Sequence, residues 1–284
     1  MGKTRKKRVR SRRRRRMRGG GELISGNAFK NLCKHNIDDR YALIPYNKSL
    51  QEGDKVFLKV IDIDKFIGAP PDKKVTLVIS NNDETFDDAK MDSVRKFTTK
   101  VYAVNSSAKD AIKIPMGFRD DMYVPHQEFK EVMNGPASAE KKILCLANFL
   151  LGTNNTKRVE AKNYFVGKPW VKSNEDYMNY SLGESLQFSK PDTKKMRSDY
   201  YVTLKQTKFV VCPQGTGMDT HRVYESLFFG CMPIILTSPL DPMYEKLGGC
   251  WVVKSWEEVT EESCNAKWAA RGTPTILFDP SAWL

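Results

Sequence analysis

The sequence predicts an α/β protein of two lobes with a cleft between them, preceded by a basic tail, and three observations lead there. Short apolar runs rich in β-branched residues alternate with helical patterns, which is the form of βαβ units on a mainly parallel sheet. That alternation breaks between residues 117 and 142, where charges mix with Pro125, Gly135 and Pro136, and then restarts. The charge is also uneven: residues 1–20 carry 12 of the 47 Lys and Arg and no acid, so the remaining 35 basic residues meet 34 acidic ones. The formal charge of +13 therefore belongs to a tail that cannot form a core, and the body is neutral. These breaks divide the chain into a disordered Arg/Lys-rich tail over 1–21, an N-terminal lobe over 22–138 and a C-terminal lobe over 139–284.

The tail runs through Arg12 to Arg16 into Gly19, Gly20 and Gly21, and lacks the apolar stretch of a secretory signal or membrane anchor. No other segment approaches about 18 consecutive apolar residues, so a cytoplasmic protein without a membrane span is expected. Six widely spaced cysteines without a CxxC pair, beside only three histidines, support neither a disulfide framework nor a zinc site.

In the first half the strand candidates are Val56 to Ile63, Val75 to Ser80 and Lys100 to Val104, ending respectively at Asp64, at Asn81-Asn82-Asp83 and at Asn105-Ser106. Ligands of open α/β sheets sit beyond the carboxyl ends of strands, so these polar endings face the expected cleft. The second half begins with a strand over Ile143 to Ala147, a loop over Asn148 to Asn155 and a helix over Thr156 to Tyr164. A polar region, Gly167 to Lys195, is expected to be helical in parts. The strand Phe209 to Cys212, the helix Thr220 to Phe229 and the strand Pro233 to Leu236 form one βαβ unit, with later strands over Trp251 to Val253 and Thr275 to Phe278.

The most informative run is Lys208 to Leu236. A buried strand meets Pro213, which stops it, and Gly215 and Gly217 let the backbone approach a ligand closely around Thr216. Asp219 or Thr220 then caps a helix whose free N–H groups and positive dipole end form a seat for a diphosphate. His221, Arg222 and Glu225 share the loop-facing side of its first turns, being three and four residues apart. Arg222 offers a forked, permanently charged clamp, while Glu225 can accept two hydrogen bonds from ribose hydroxyls. The same spacing equally suits an intrahelical ion pair between Arg222 and Glu225, and His221 equally suits a helix-start residue bonded to the backbone.

This segment resembles the donor-binding motif of exostosin-like glycosyltransferases: a strand, a Pro, a Gly-rich loop, an Asp-Thr-His-Arg step, a Glu-bearing helix and then Gly-Cys-Met-Pro-Ile-Ile, read here from Lys208 to Leu236. Weaker similarity reaches upstream to Leu77-Val-Ile-Ser-Asn-Asn-Asp83, Tyr102-Ala-Val-Asn105, Ile114-Pro-Met-Gly-Phe118 and Leu146-Ala-Asn-Phe149 with Thr153-Asn154 and Arg158. The resemblance implies a GT-B fold, a nucleotide-sugar donor held by the C-terminal lobe, and transfer with inversion to a glycan or glycoprotein acceptor. It makes Arg222 a diphosphate contact, Arg158 a second anion contact (a solvated helix charge being the other reading of Arg158), Glu225 a ribose contact, and Gly215, Thr216 and Gly217 the lining of the phosphate pocket, with Asp219 and His221 beside them. The body is small for this fold, and with its Arg-rich leader it is similar to the compact versions carried by large DNA viruses of algae and protists.

Inverting transfer needs a general base and stabilisation of the departing diphosphate. Arg222, Arg158 and the helix N-terminus answer the second need, and for the first a carboxylate at a strand end of the N-terminal lobe is expected: Asp83, with Asp64 and Glu84 behind it. His126 and His35 are further candidate bases, and Asn82-Asp83 is equally compatible with a simple turn. No DxD-type acidic pair sits where a metal-bound diphosphate needs one, so transfer without a metal or other cofactor is expected. Two rival readings stand beside this one. Residues 3–18 suit nonspecific, salt-dependent contact with nucleic acid or a role in virion packaging, and a relative that has lost turnover would bind sugar without releasing nucleotide.

Overall fold

A computed structural model describes residues 23–37, 49–120, 132, 140–179 and 191–284. The basic tail, the boundary expected near residue 138, and His126 lie outside the described residues.

The first half builds one parallel five-stranded sheet from β1 (His35–Ile37), β2 (Lys55–Leu58), β3 (Val75–Ile79), β4 (Thr98–Ala103) and β5 (Ile112–Lys113), in that spatial order. Every step from strand to strand moves the same way, so right-handed crossovers place their helices on a single face. The helices following β2 and β3, α2 (Ile63–Gly68) and α3 (Asp88–Arg95), accordingly bury Ile63, Phe66, Met91 and Val94 in one core with Leu77 and Ile79. The alternate residues of the same strands, Phe57, Val78 and Tyr102, point the other way into a second core. The strand expected over Val56 to Ile63 ends at Leu58, because residues 60–62 turn into a 3-10 helix that leads straight into α2. Asp64 therefore lies exposed on a helix instead of at a strand end.

The second half builds another parallel five-stranded sheet from β6 (Ile143–Ala147), β7 (Val171–Ser173), β8 (Thr207–Val211), β9 (Met232–Leu236) and β10 (Trp251–Val253), in the order β10-β9-β8-β6-β7. The chain leaves β6 towards β7 and then returns to the other side of β6 to make β8, so the order reverses between β6 and β8. Its helices divide accordingly. The first crossover helix, α4 (Asn155–Phe165), packs Ala161 and Phe165 on one face with Cys145 and Phe209. On the opposite face α6 (Pro191–Lys205), α7 (His221–Phe228) and α8 (Asp241–Leu247) bury Tyr201, Leu204, Tyr224, Leu227, Met243 and Tyr244. A short helix α5 (Glu175–Met178) follows β7, and α9 (Glu261–Ala270) follows β10 behind a Thr260–Ser263 capping box.

Two parallel five-stranded sheets with crossover helices constitute a two-lobe, Rossmann-like arrangement of the GT-B type. The halves are joined by the second core, which takes Ile24, Phe29, Phe57, Val78 and Phe118 from the first and Leu146, Val210, Tyr224 and Tyr244 from the second. At about 25 cal/mol per Å² of apolar surface, each fully buried Phe or Leu there contributes roughly 1.5–3 kcal/mol. The early segment carrying α1 (Gly26–Asn31) crosses to the second half, where the Ile24 amide donates to the Phe278 carbonyl at 3.1 Å. The strand expected over Thr275 to Phe278 does not form. That stretch is extended, but its backbone bonds to the Ile24 segment and to Leu247 and joins neither sheet.

Candidate functional site

Parallel α/β sheets bind ligands where the strand order reverses, at the strands' carboxyl ends, which here means the loops after β6 and β8. Those loops are tied to each other. The Asn154 side chain caps α4 at the Lys157 amide through its oxygen and donates to the Gly215 carbonyl at 2.9 Å through its nitrogen. The Thr216 hydroxyl donates to the Thr153 carbonyl at 3.3 Å. Arg158, one turn into α4 and only 6% exposed, donates through Nε to the Gln214 carbonyl at 3.0 Å and through Nη1 to the Leu150 carbonyl at 2.6 Å. Two edges of its guanidinium are thereby fixed, and Nη2 faces Gly215, where a Cβ would stand 3.0 Å from it. Glycine at 215 leaves that edge uncovered.

After the loop, α7 is preceded by Thr220, whose side chain makes no capping bond, and with the Val223 amide bonded to the Thr220 carbonyl the His221 and Arg222 amides are left to other partners. Arg222 is half-buried and donates from Nη1 to the Tyr200 hydroxyl at 2.8 Å, with its guanidinium carbon 5.2 Å from the centre of that ring. Its buried Nε has no hydrogen-bond partner. No ion pair joins Arg222 to Glu225 within 4.0 Å among the described residues, so spacing on the helix does not make them a closed pair. Burial raises the Glu225 pKa above the ordinary carboxylate value, opposed by the charges of Arg222 and Arg119 and by a hydrogen bond with Tyr200.

The result is a concentration of like charge. Burial, and then the neighbouring Arg222, bring the Arg158 pKa down to about 10. Arg119, at the end of the first lobe's last segment, is also lowered by burial, held up by Glu225 and depressed again by Arg197 of α6. Arg222 and Arg119 thus bear on the Glu225 carboxylate, while Arg158 acts on Arg222 and Arg197 on Arg119. Holding the like-charged Arg158 and Arg222 together away from water is favoured when an anion shares the space.

The two lobes meet at this point through Asp219 and Asn105. Asp219, 2% exposed, accepts from the Met116 amide at 2.9 Å, from its neighbour Thr220 at 2.8 Å, from the Tyr244 hydroxyl at 3.0 Å and from the Tyr224 hydroxyl. Its own amide donates to Asn105 Oδ1 at 2.8 Å, while Asn105 Nδ2 donates to the Asn82 carbonyl at 3.1 Å. Gly217 closes the same contact, since a Cβ there would lie 2.5 Å from Asn105 Nδ2. Both oxygens of Asp219 are therefore occupied, Oδ2 joining the lobes through Met116 and Oδ1 bonding within the second half, and Gly217 is required by Asn105. Asn105 and Asn81, which follow β4 and β3, adopt φ of 49° and 57°, left-handed geometry that asparagine tolerates better than most residues.

His221, the first residue of α7, reaches the first lobe. Its Nδ1 lies 2.7 Å from the Gly117 carbonyl, and burial lowers its pKa, opposed first by that hydrogen bond, reinforced by Arg119 and opposed again by Asp83 and Asp120. Asp83 is exposed at the end of the β3 turn, within Coulombic reach of that ring, and Glu84 beside it is exposed too. His35 lies at the amino end of edge strand β1, 2.9 Å from Asp54, and so at the opposite end of the sheet.

The structure thus brings together Arg158, Gly215, Thr216, Gly217, Asp219, His221, Arg222 and Glu225 around one junction, with Asp83 at its edge. Sequence reasoning missed Arg119, Arg197 and Tyr200. Arg119 directly follows the Ile114 to Phe118 segment, a signal adjacent to motif residues, whereas Arg197 and Tyr200 sit in a polar helix with nothing to mark them.

Among the described residues no helix is long and apolar enough to cross a membrane. No curated protein matches the chain. Residues 126–258 match the family described as RXYLT1 C-terminal domain; this stretch is just under half of the chain and contains Arg158, the β8 loop and α7, and the match supports a glycosyltransferase relationship.

Proposed function

We propose that the protein transfers a sugar from a nucleotide-sugar donor to a glycan or glycoprotein acceptor, with the donor's diphosphate seated between Arg158, Arg222 and the start of α7. The observation that carries this reading is the crowding of Arg158 against Arg222 at the reversal point of the second sheet, where Arg222 Nε is buried without a partner. A diphosphate is planar-edged, doubly charged and rich in acceptors, and forked guanidiniums match it. Arg119 extends the same field from the first lobe, so that donor binding also draws on the junction. Glu225, held by Tyr200 and two arginines, is placed to accept from ribose hydroxyls, and Gly215 and Thr216 leave the loop backbone accessible to phosphate oxygens. Asp219 and Gly217 support the seat from behind by fixing the loop against Asn105.

During transfer the leaving diphosphate gains negative charge, and fixed guanidiniums with an uncapped helix N-terminus stabilise that charge without reorganising. Arginines supply the neutralisation that other sites obtain from a cation, so donor binding is independent of divalent metal in this reading.

The test is thermal stabilisation of the purified chain by UDP and GDP and by UDP-xylose, UDP-galactose, UDP-glucuronic acid and GDP-fucose. At least one is expected to stabilise the wild type. Arg222→Ala is expected to weaken that binding about 100-fold, the equivalent of roughly 3 kcal/mol of charge-assisted bonds. Equal stabilisation of the variant by the same nucleotide would remove the assignment.

A further inference from the structure

The donor seat described above leaves open which group accepts the proton from the attacking hydroxyl. We propose that His221 is this general base, with Asp83 as the carboxylate that supports the imidazolium; the inference rests on the glycosyltransferase reading and deepens it.

Geometry selects the atom. The Gly117 carbonyl, 2.7 Å from Nδ1, can only accept, so Nδ1 carries the proton and Nε2 of the neutral ring keeps its lone pair. Nε2 has no hydrogen-bond partner among the described residues. The carbonyl is itself held firmly. Gly117 has φ of 78°, its ideal Cβ would stand 2.2 Å from the Ile24 carbonyl oxygen, and the next amide, Phe118, donates to that same oxygen at 2.8 Å. The ring therefore cannot turn its protonated nitrogen towards a substrate without breaking a fixed contact.

Position agrees with this role. His221 precedes Arg222 directly, so the ring stands one residue from the diphosphate clamp and at the face where the first lobe meets α7. Three charged groups outside its own helix bear on it, Arg119 and Asp120 from the segment after Gly117 and Asp83 from the β3 turn, and Arg222 and Glu225 follow on the helix itself. Burial, and then Arg119, keep the resting ring neutral, while the Gly117 hydrogen bond, and after it Asp83 and Asp120, favour the charged ring once a proton arrives. A base needs both properties in succession. Asp83 itself is exposed to water, which leaves it less fit than a half-buried ring to take the proton directly.

In the step, the acceptor oxygen forms its bond to the anomeric carbon while the bond from that carbon to the diphosphate oxygen breaks. The electron pair leaves with the nucleoside diphosphate, and the acceptor's proton passes to His221 Nε2. Water can stand in for the acceptor, giving hydrolysis of the donor.

The experiment measures release of UDP or GDP from the four nucleotide sugars named above, against pH, for the full chain and for His221→Asn, Asp83→Asn and Arg222→Ala. Asparagine at 221 can still donate to the Gly117 carbonyl but offers no base. His221→Asn is expected to keep stabilisation by UDP or GDP, to lower kcat by about 10²–10⁴-fold, and to lose the acid limb of the pH profile. Asp83→Asn is expected to move that limb to lower pH, because the charge that favours the imidazolium is gone. Wild-type kcat and pH profile in His221→Asn would overturn the proposal, as would loss of the acid limb in Asp83→Asn, which would make the carboxylate the base. A wild type that binds nucleotide yet releases none from any donor would overturn it as well. If Arg222→Ala binds UDP and GDP like the wild type, it is the donor seat that fails, whatever His221→Asn does.

Discussion

Gly217 and Asp219 are motif residues whose side-chain environments point inwards. The sequence places a glycine there for backbone approach to a ligand, and the structure supplies a packing demand: Asn105 of the other lobe lies where a Cβ would be. Gly217→Ala is expected to cost about 1–3 kcal/mol in urea unfolding, the range for overfilling a packed site. Gly68, with open space around its Cβ position and no positive φ, is the control, and alanine there is expected to be neutral or slightly stabilising. Equal stability of the two variants would show that the Asn105 contact is dispensable. The pair Arg222 and Glu225 was ambiguous by spacing alone, since i and i+3 suit an ion pair as well as a ligand clamp. The ambiguity ends with Tyr200, which engages the Arg222 guanidinium and interacts with Glu225, so neither closes on the other.

For whole elements, the start of α7 combines an uncapped N-terminus with a histidine whose pKa is lowered from 6.5, first by burial. The positive end of the helix dipole opposes a charge on that ring in the same direction. A depressed pKa in the fold means that the unfolded chain takes up its proton first as pH falls. The contribution of His221 to stability is thus fully present above pH 6.5 and is lost as pH drops through the lower folded value. Thermal melts from pH 7.5 to 5 are expected to show a steeper loss in the wild type than in His221→Asn, and parallel curves would contradict a buried neutral ring. The pattern of alternating strands and helices made β3, β4, β6, β8 and β9 legible, because central parallel strands are largely apolar, and β10 was legible too, although it lies at a sheet edge, because Trp251 to Val253 is wholly apolar. The short outer strands β1, β5 and β7 were not, having two or three residues each and half-buried sides. The expected strand at residues 275–278 failed for a related reason: apolar extended chain can cover a core as well as join a sheet.

At the scale of the whole molecule, two sheets meet at their carboxyl ends, while the tail carries the charge. Removing residues 1–20 takes away 12 positive charges and no group of the junction. Nucleotide stabilisation of the truncated chain is expected to equal that of the full chain, whereas salt-dependent retention on polyphosphate is expected to disappear. Loss of nucleotide binding on truncation would tie the tail to the site. EDTA is expected to leave nucleotide binding unchanged, because Arg158 and Arg222 already offer positive charge to a diphosphate; a requirement for manganese would contradict that reading. By itself the sequence determined the fold class, the βαβ unit around the glycine loop and the residues of α7, since hydrophobic period, glycine placement and i to i+4 spacing are local properties. Only the tertiary structure decided that the strand order reverses between β6 and β8, that Arg158 of α4 bears on Arg222 of α7, and that Asn105 and Gly117 lock the lobes onto Asp219 and His221. Those contacts join residues up to 114 apart in the chain, and no local pattern encodes which distant segment will fill a given space.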